Sequence, residues 1–138
     1  MNRTDLQQLA ELRLKEANVL FAHRCFEGAY YLAGYSVECA IKACFARKTQ
    51  QHDFPDKKAV DQIWKHDLEQ LISAAGLEEE WDRELKSNRI FNRKWAVVKQ
   101  WSEQKRYSTK ISSSDARDLL SAINDSAGGV LIWLKKLW

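Results

Sequence analysis

The chain has 138 residues, 45% of them hydrophobic and 30% charged, with a formal net charge of +3. That length and balance suit a single globular domain over residues 1–138 with a core of its own, and exclude a disordered chain. Five Gly and one Pro leave few break points, which argues against a turn-rich β architecture.

In chain order, Thr4 and Gln7 make a T-x-x-Q capping pattern, which predicts a helix from about Asp5 to Arg24. The stretch Gly28 to Phe45 follows, with thirteen apolar or aromatic residues among eighteen and only Glu38 and Lys42 charged. A helix apolar nearly all round is normally the buried centre of a bundle. Thr49 to Lys58 is a polar loop containing the only proline, Pro55, and a short helix is expected from Ala59 to Trp64. His66-Asp67 then introduce a helix with Leu68, Leu71, Ile72 and Ala75 facing inward and Gly76 as its stop. Glu78, Glu79 and Glu80 open the next helix, at the end where carboxylates suit the dipole. A bend near Ser87-Asn88 leads into the run Phe91 to Trp101, with Trp95, Val98 and Trp101 on one face. Glu103 to Ser113 is a polar connector, and Ser114 caps a last helix that continues through Gly128-Gly129 to Leu134. The predicted architecture is all-α, an up-down bundle of four long helices plus one or two short ones.

The net charge hides an asymmetry. Residues 1–82 carry 10 Lys+Arg against 14 Asp+Glu, whereas residues 83–110 carry 9 against 2. A basic block on an otherwise balanced chain suggests an anionic partner. Cys25, Cys39 and Cys44 are odd in number and lack a metal-ligand spacing. With no signal pattern in the opening MNRTDLQQ, they read as reduced thiols of a cytoplasmic protein, without metal or cofactor. The longest uncharged run, Gly28 to Val37, is about half of what spans a bilayer, so no membrane segment is expected.

The stretch AYYLAGYSVECAIKA (29–43), then His66-Asp67-Leu68, then Arg106-Tyr107-Ser108 together resemble the HEPN family of small helical domains. The resemblance implies a bundle that commonly pairs as a homodimer and often works beside a minimal nucleotidyltransferase in toxin–antitoxin or defence modules. It also implies RNA or a nucleotide as the partner. Many members are metal-independent RNases using an Arg-x(4–6)-His motif. This chain departs from that pattern, because no histidine follows Arg106-Tyr107. Its sole match to the spacing is Arg47 to His52, at the end of the second helix, earlier than nuclease members usually carry the motif.

Candidate catalytic residues are therefore Arg47, His52 and His66, although a histidine at the mouth of a helix more often serves as a cap. Candidate RNA- or nucleotide-binding residues are Arg93, Lys94, Lys105, Arg106 and Tyr107, where guanidinium groups and aromatic rings interleave. Glu38 and Lys42 stand four apart in the order that favours a helical ion pair. They form either a structural pair, with Arg106 as another candidate partner for Glu38, or one wall of a cleft. Three functions follow: a binding module, an RNase of the same fold, or a non-catalytic dimeric adaptor whose Trp-rich C-terminus is an interface.

Overall fold

The computed structural model describes residues 1–49, 54 and 56–138. Among them are eight α-helices, one 3-10 helix and no strand, so the chain is an all-α bundle. The helical mass is divided into more segments than the periodicity suggests.

Helix α1 (Arg3–Ala22) begins earlier than the Thr4–Gln7 pattern predicts. Asn2 is the cap: its side chain accepts from the Asp5 amide, and Asp5 accepts in return from the Asn2 amide, each at 2.9 Å. Asn ranks with Ser and Asp as a cap, and this reciprocal pair lies two residues upstream of the expected one. Ala10, Leu14 and Ala17 form the buried stripe of α1. Arg24 then adopts a left-handed φ of +62°, which reverses the chain.

Helix α2 (Phe26–Lys48) is the centre of the bundle and packs against α1, α4, α7, α8 and the 3-10 helix. Every residue from Ser36 to Ile41 is buried, as expected of a helix with neighbours on all sides. Gly34 is required by one of those neighbours. A Cβ there would stand 2.2 Å from the Trp101 indole.

Helices α3 (Lys57–Ile63) and α4 (Leu68–Ala74) follow; α4 buries Leu68, Leu71 and Ile72, with Ala75 buried just beyond it and Gly76 closing it at a φ of +70°. Helices α5 (Glu78–Ser87) and α6 (Arg89–Val98) meet at Asn88, whose side chain accepts from the Phe91 amide at 3.1 Å. The expected bend is thus a capped break. Trp95, Val98 and Trp101 are all buried. Trp81 packs edge-on against Trp95, Phe91 and Trp133.

The connector after Trp101 is partly ordered as a 3-10 helix (Glu103–Tyr107) lying on α2. Helix α7 (Ser113–Asn124) is capped by Ser112 with Asp115, not by Ser114. The single last helix is also interrupted. Gly128 has a φ of +73°, and α8 (Val130–Leu134) starts afresh after it. A Cβ on Gly128 would meet Ile90 Cγ2 at 2.8 Å and the Phe91 amide nitrogen at 3.0 Å. The chain thus approaches α6 closely at Gly128, at a left-handed turn and not within the continuous helix expected there.

Candidate functional site

A buried carboxylate organises the site. Glu38 is 1% exposed, and its Oε1 accepts from Lys42 Nζ at 2.8 Å and lies 2.9 Å from His66 Nδ1. The other ring nitrogen of His66, Nε2, is 3.2 Å from Glu103 Oε2 on the 3-10 helix. Four side chains from α2, the α3–α4 link and the connector thus form one chain of contacts. Glu38 Oε2, in contrast, is buried without a hydrogen-bond partner. A carboxylate is tolerated in so apolar a helix because two side chains meet its other oxygen.

His66 is available for this because it is not the cap of α4. Asp67 is, with its side chain accepting from the Gln70 amide at 3.0 Å. The imidazole separates two hollows. One, of about 490 Å³, is lined mostly by polar residues, among them Gln70, Glu103 and Gln104, beside Trp64 and Trp101. The other, of about 640 Å³, runs between the start of α1 and the second half of α2, with Leu6, Leu9, Tyr35, Phe45 and Ile63 in its walls. Trp64 and His66 border both.

The polar hollow is shaped by packing in the core. Trp101 sits on Gly34 and stacks on Tyr31 with ring centroids 6.1 Å apart. This fixes the start of the connector and so the position of Glu103 two residues later. Burial pushes the Tyr35 hydroxyl above its usual range, helped by the neighbouring Cys39 and Glu38. Burial likewise raises the Cys39 thiol to about 11.

A family model for the HEPN domain matches residues 4–137. The chain belongs to the HEPN family. No curated protein and no solved structure matches it. Membership makes this HEPN chain an RNA- or nucleotide-related helical module. Among the described residues, no helix is long and apolar enough to cross a membrane. No group of three or more His, Cys, Asp or Glu residues among them is placed to hold a metal ion.

The HEPN residues singled out from sequence divide into three groups. Glu38, Lys42 and His66 come together, as do Lys105, Arg106 and Tyr107 on the 3-10 helix, where the Arg106 guanidinium stands 4.8 Å from the Tyr107 ring centroid. Hydrogen bonding to Tyr107 raises the Arg106 pKa further still. Arg93 is exposed on α6, whereas Lys94 is tied to Asp125 at 2.6 Å and is accounted for structurally. Arg47 lies in the last turn of α2, and its proposed partner His52 is outside the described residues. Arg106 is not among the partners of Glu38; Lys42 and His66 are.

Trp64 and Glu103 were not predicted as site residues. Trp64 is 75% exposed beside the hollow, and its signal was an aromatic directly before Lys65-His66. Glu103 had no signal in the sequence, because its partner is 37 positions away.

Proposed function

We propose that this chain is an RNA- or nucleotide-binding HEPN module. Its ligand lies across the polar hollow, between Trp64 and the 3-10 helix. The observation that carries this reading is a pair of exposed aromatic faces, Trp64 in the lining of the hollow and Tyr107 on the 3-10 helix. Trp64 is 75% and Tyr107 69% exposed, and Arg106 and Lys105 accompany Tyr107 on one short helix. Exposed rings offer stacking surfaces to bases, and adjacent guanidinium and ammonium groups suit phosphates. In a 3-10 helix, residues three apart share a row. Tyr107 therefore continues the row of Gln104, which lines the hollow.

The family resemblance supports the setting: a cytoplasmic homodimer acting beside a minimal nucleotidyltransferase in a toxin–antitoxin or defence pair. The adaptor alternative is less favoured, because Trp133 and Trp138 pack against the core and do not stand free.

Fluorescence anisotropy with labelled single-stranded RNA tests the reading. Binding is expected to weaken steeply with salt, and Arg106→Ala is expected to reduce the salt slope by about 1. Unchanged affinity in both Arg106→Ala and Tyr107→Ala would refute it.

One observation favours a second reading as a metal-independent RNase. Glu38 holds His66 by Nδ1, the arrangement that orients an imidazole for proton transfer. RNA cleavage that persists in EDTA and is lost in His66→Ala, but not in His52→Ala, would establish it.

A further inference from the structure

The binding reading leaves one contact unused, the one between His66 and Glu103. Nδ1 of His66 meets Glu38 and Nε2 meets Glu103. Each ring nitrogen of His66 thus faces a carboxylate oxygen. The charges around it are otherwise spoken for. Lys42 is paired to Glu38, and Asp67 is turned to cap α4. Lys65 adds a positive charge to the lining of the polar hollow. Glu103 is different. Its side chain is 30% exposed, and it stands on a five-residue 3-10 helix, an element with weak hydrogen-bond geometry.

We propose that the Nε2 face of His66 is a phosphate-binding subsite, held shut in this structure by the Glu103 carboxylate, which a ligand phosphate displaces. The inference rests on the reading that the polar hollow faces RNA or a nucleotide. Carboxylate and phosphate oxygens are equivalent acceptors for a charged N–H donor, so Glu103 occupies the position that a phosphate oxygen takes. Arg106 follows Glu103 by three residues and continues its row along the helix. When the carboxylate leaves, the same row still presents a guanidinium to the anion. Glu103 is then an internal competitor that raises the ligand concentration needed for occupancy.

The test follows binding to wild type, Glu103→Gln and His66→Gln by titration, and in the first two follows the 15N-labelled His66 imidazole by NMR. Three probes are added in turn: inorganic phosphate, a mononucleotide and a single-stranded RNA oligomer. Glu103→Gln is expected to bind phosphate-bearing probes about threefold more tightly, since one partly exposed charge pair is removed. The His66 Nε2 resonance should shift on saturation, and His66→Gln, whose amide can still donate to Glu38, should lose the subsite. A response to the mononucleotide alone would assign the subsite to a terminal phosphate, and a response to RNA alone to a phosphodiester. Equal or weaker binding by Glu103→Gln, or an unmoved Nε2 resonance at saturation, overturns the proposal. If RNA binding still depends on Arg106 in that case, the binding reading stands. If no probe binds wild type or Glu103→Gln, both fall.

Discussion

Glu38 is the residue on which structure and site converge, and its two oxygens are unequally served. Oε1 has two donors and Oε2 none. Lys42→Met should therefore cost more than Glu38→Gln, because it strips a partner from a carboxylate that stays buried. We expect a loss of about 2–3 kcal/mol for Lys42→Met and about 1 kcal/mol for Glu38→Gln, measured by urea unfolding. The reverse order would mean that His66 alone satisfies Glu38. The Lys42 contact was legible as a local i, i+4 pair, but the His66 contact spans 28 positions and has no local pattern. The cysteines give a second test at this scale. Burial raises Cys39 to about 11 and Cys44 to about 12, from an ordinary 9.0. Folding therefore keeps two thiols protonated where the unfolded chain would ionise them. Their contribution is intact below pH 9 and is lost as pH rises through 9 toward 11–12. Unfolding midpoints are expected to fall across that window, and less so in Cys39→Ser/Cys44→Ser. At neutral pH, alkylation of the folded chain should reach one thiol of three, the exposed Cys25.

At the level of elements, the bundle was readable and its punctuation only partly so. The apolar run at 28–45 announced α2, and Leu68, Leu71 and Ile72 announced α4, since burial imposes those periods directly. Caps were displaced by two residues, to Asn2 and Ser112, because Asn, Ser and Thr compete on nearly equal terms for the same amides. The break at Asp125–Gly129 was missed because apolar spacing continues across it on both sides. The extended backbone of Asp125 and Gly129 and the left-handed φ of Gly128, packed against Ile90 and Phe91, separate α7 from α8. Gly34 shows the same limit. In sequence it is a glycine within a helix, a position where Ala would ordinarily stabilise by about 1 kcal/mol. In the fold it is the seat of Trp101. Gly34→Ala should destabilise by about 1–3 kcal/mol through overpacking and should displace the indole that anchors the connector. A shifted Trp emission together with weaker RNA binding would register both effects. A stabilised variant would show that Trp101 can move without consequence.

Across the whole molecule, the question is how a basic segment becomes a surface. Residues 83–110 carry nearly all the excess positive charge, yet the fold distributes them among three elements with different neighbours. Helix α6 packs on α5, α7 and α8, whereas the 3-10 helix packs on α2. Lys94 is spent on Asp125, and the hollow is bordered by residues from the α3–α4 link, α4 and the connector, with none from α6. Charge clustering along the chain therefore overstates clustering in space. The two arginines that the sequence could not rank should now differ. Arg106→Ala removes the guanidinium that stands 4.8 Å from the Tyr107 ring centroid on the 3-10 helix, and should weaken RNA binding about fivefold to tenfold. Arg93→Ala removes an exposed charge from α6 and acts only through the general field, so a change of less than about twofold is expected at moderate salt. Titrations of both variants at two salt concentrations would separate a contact from a field, because only the contact survives screening in part. Equal losses for the two variants would mean that the ligand spans α6 as well, and that the hollow is one end of a longer track.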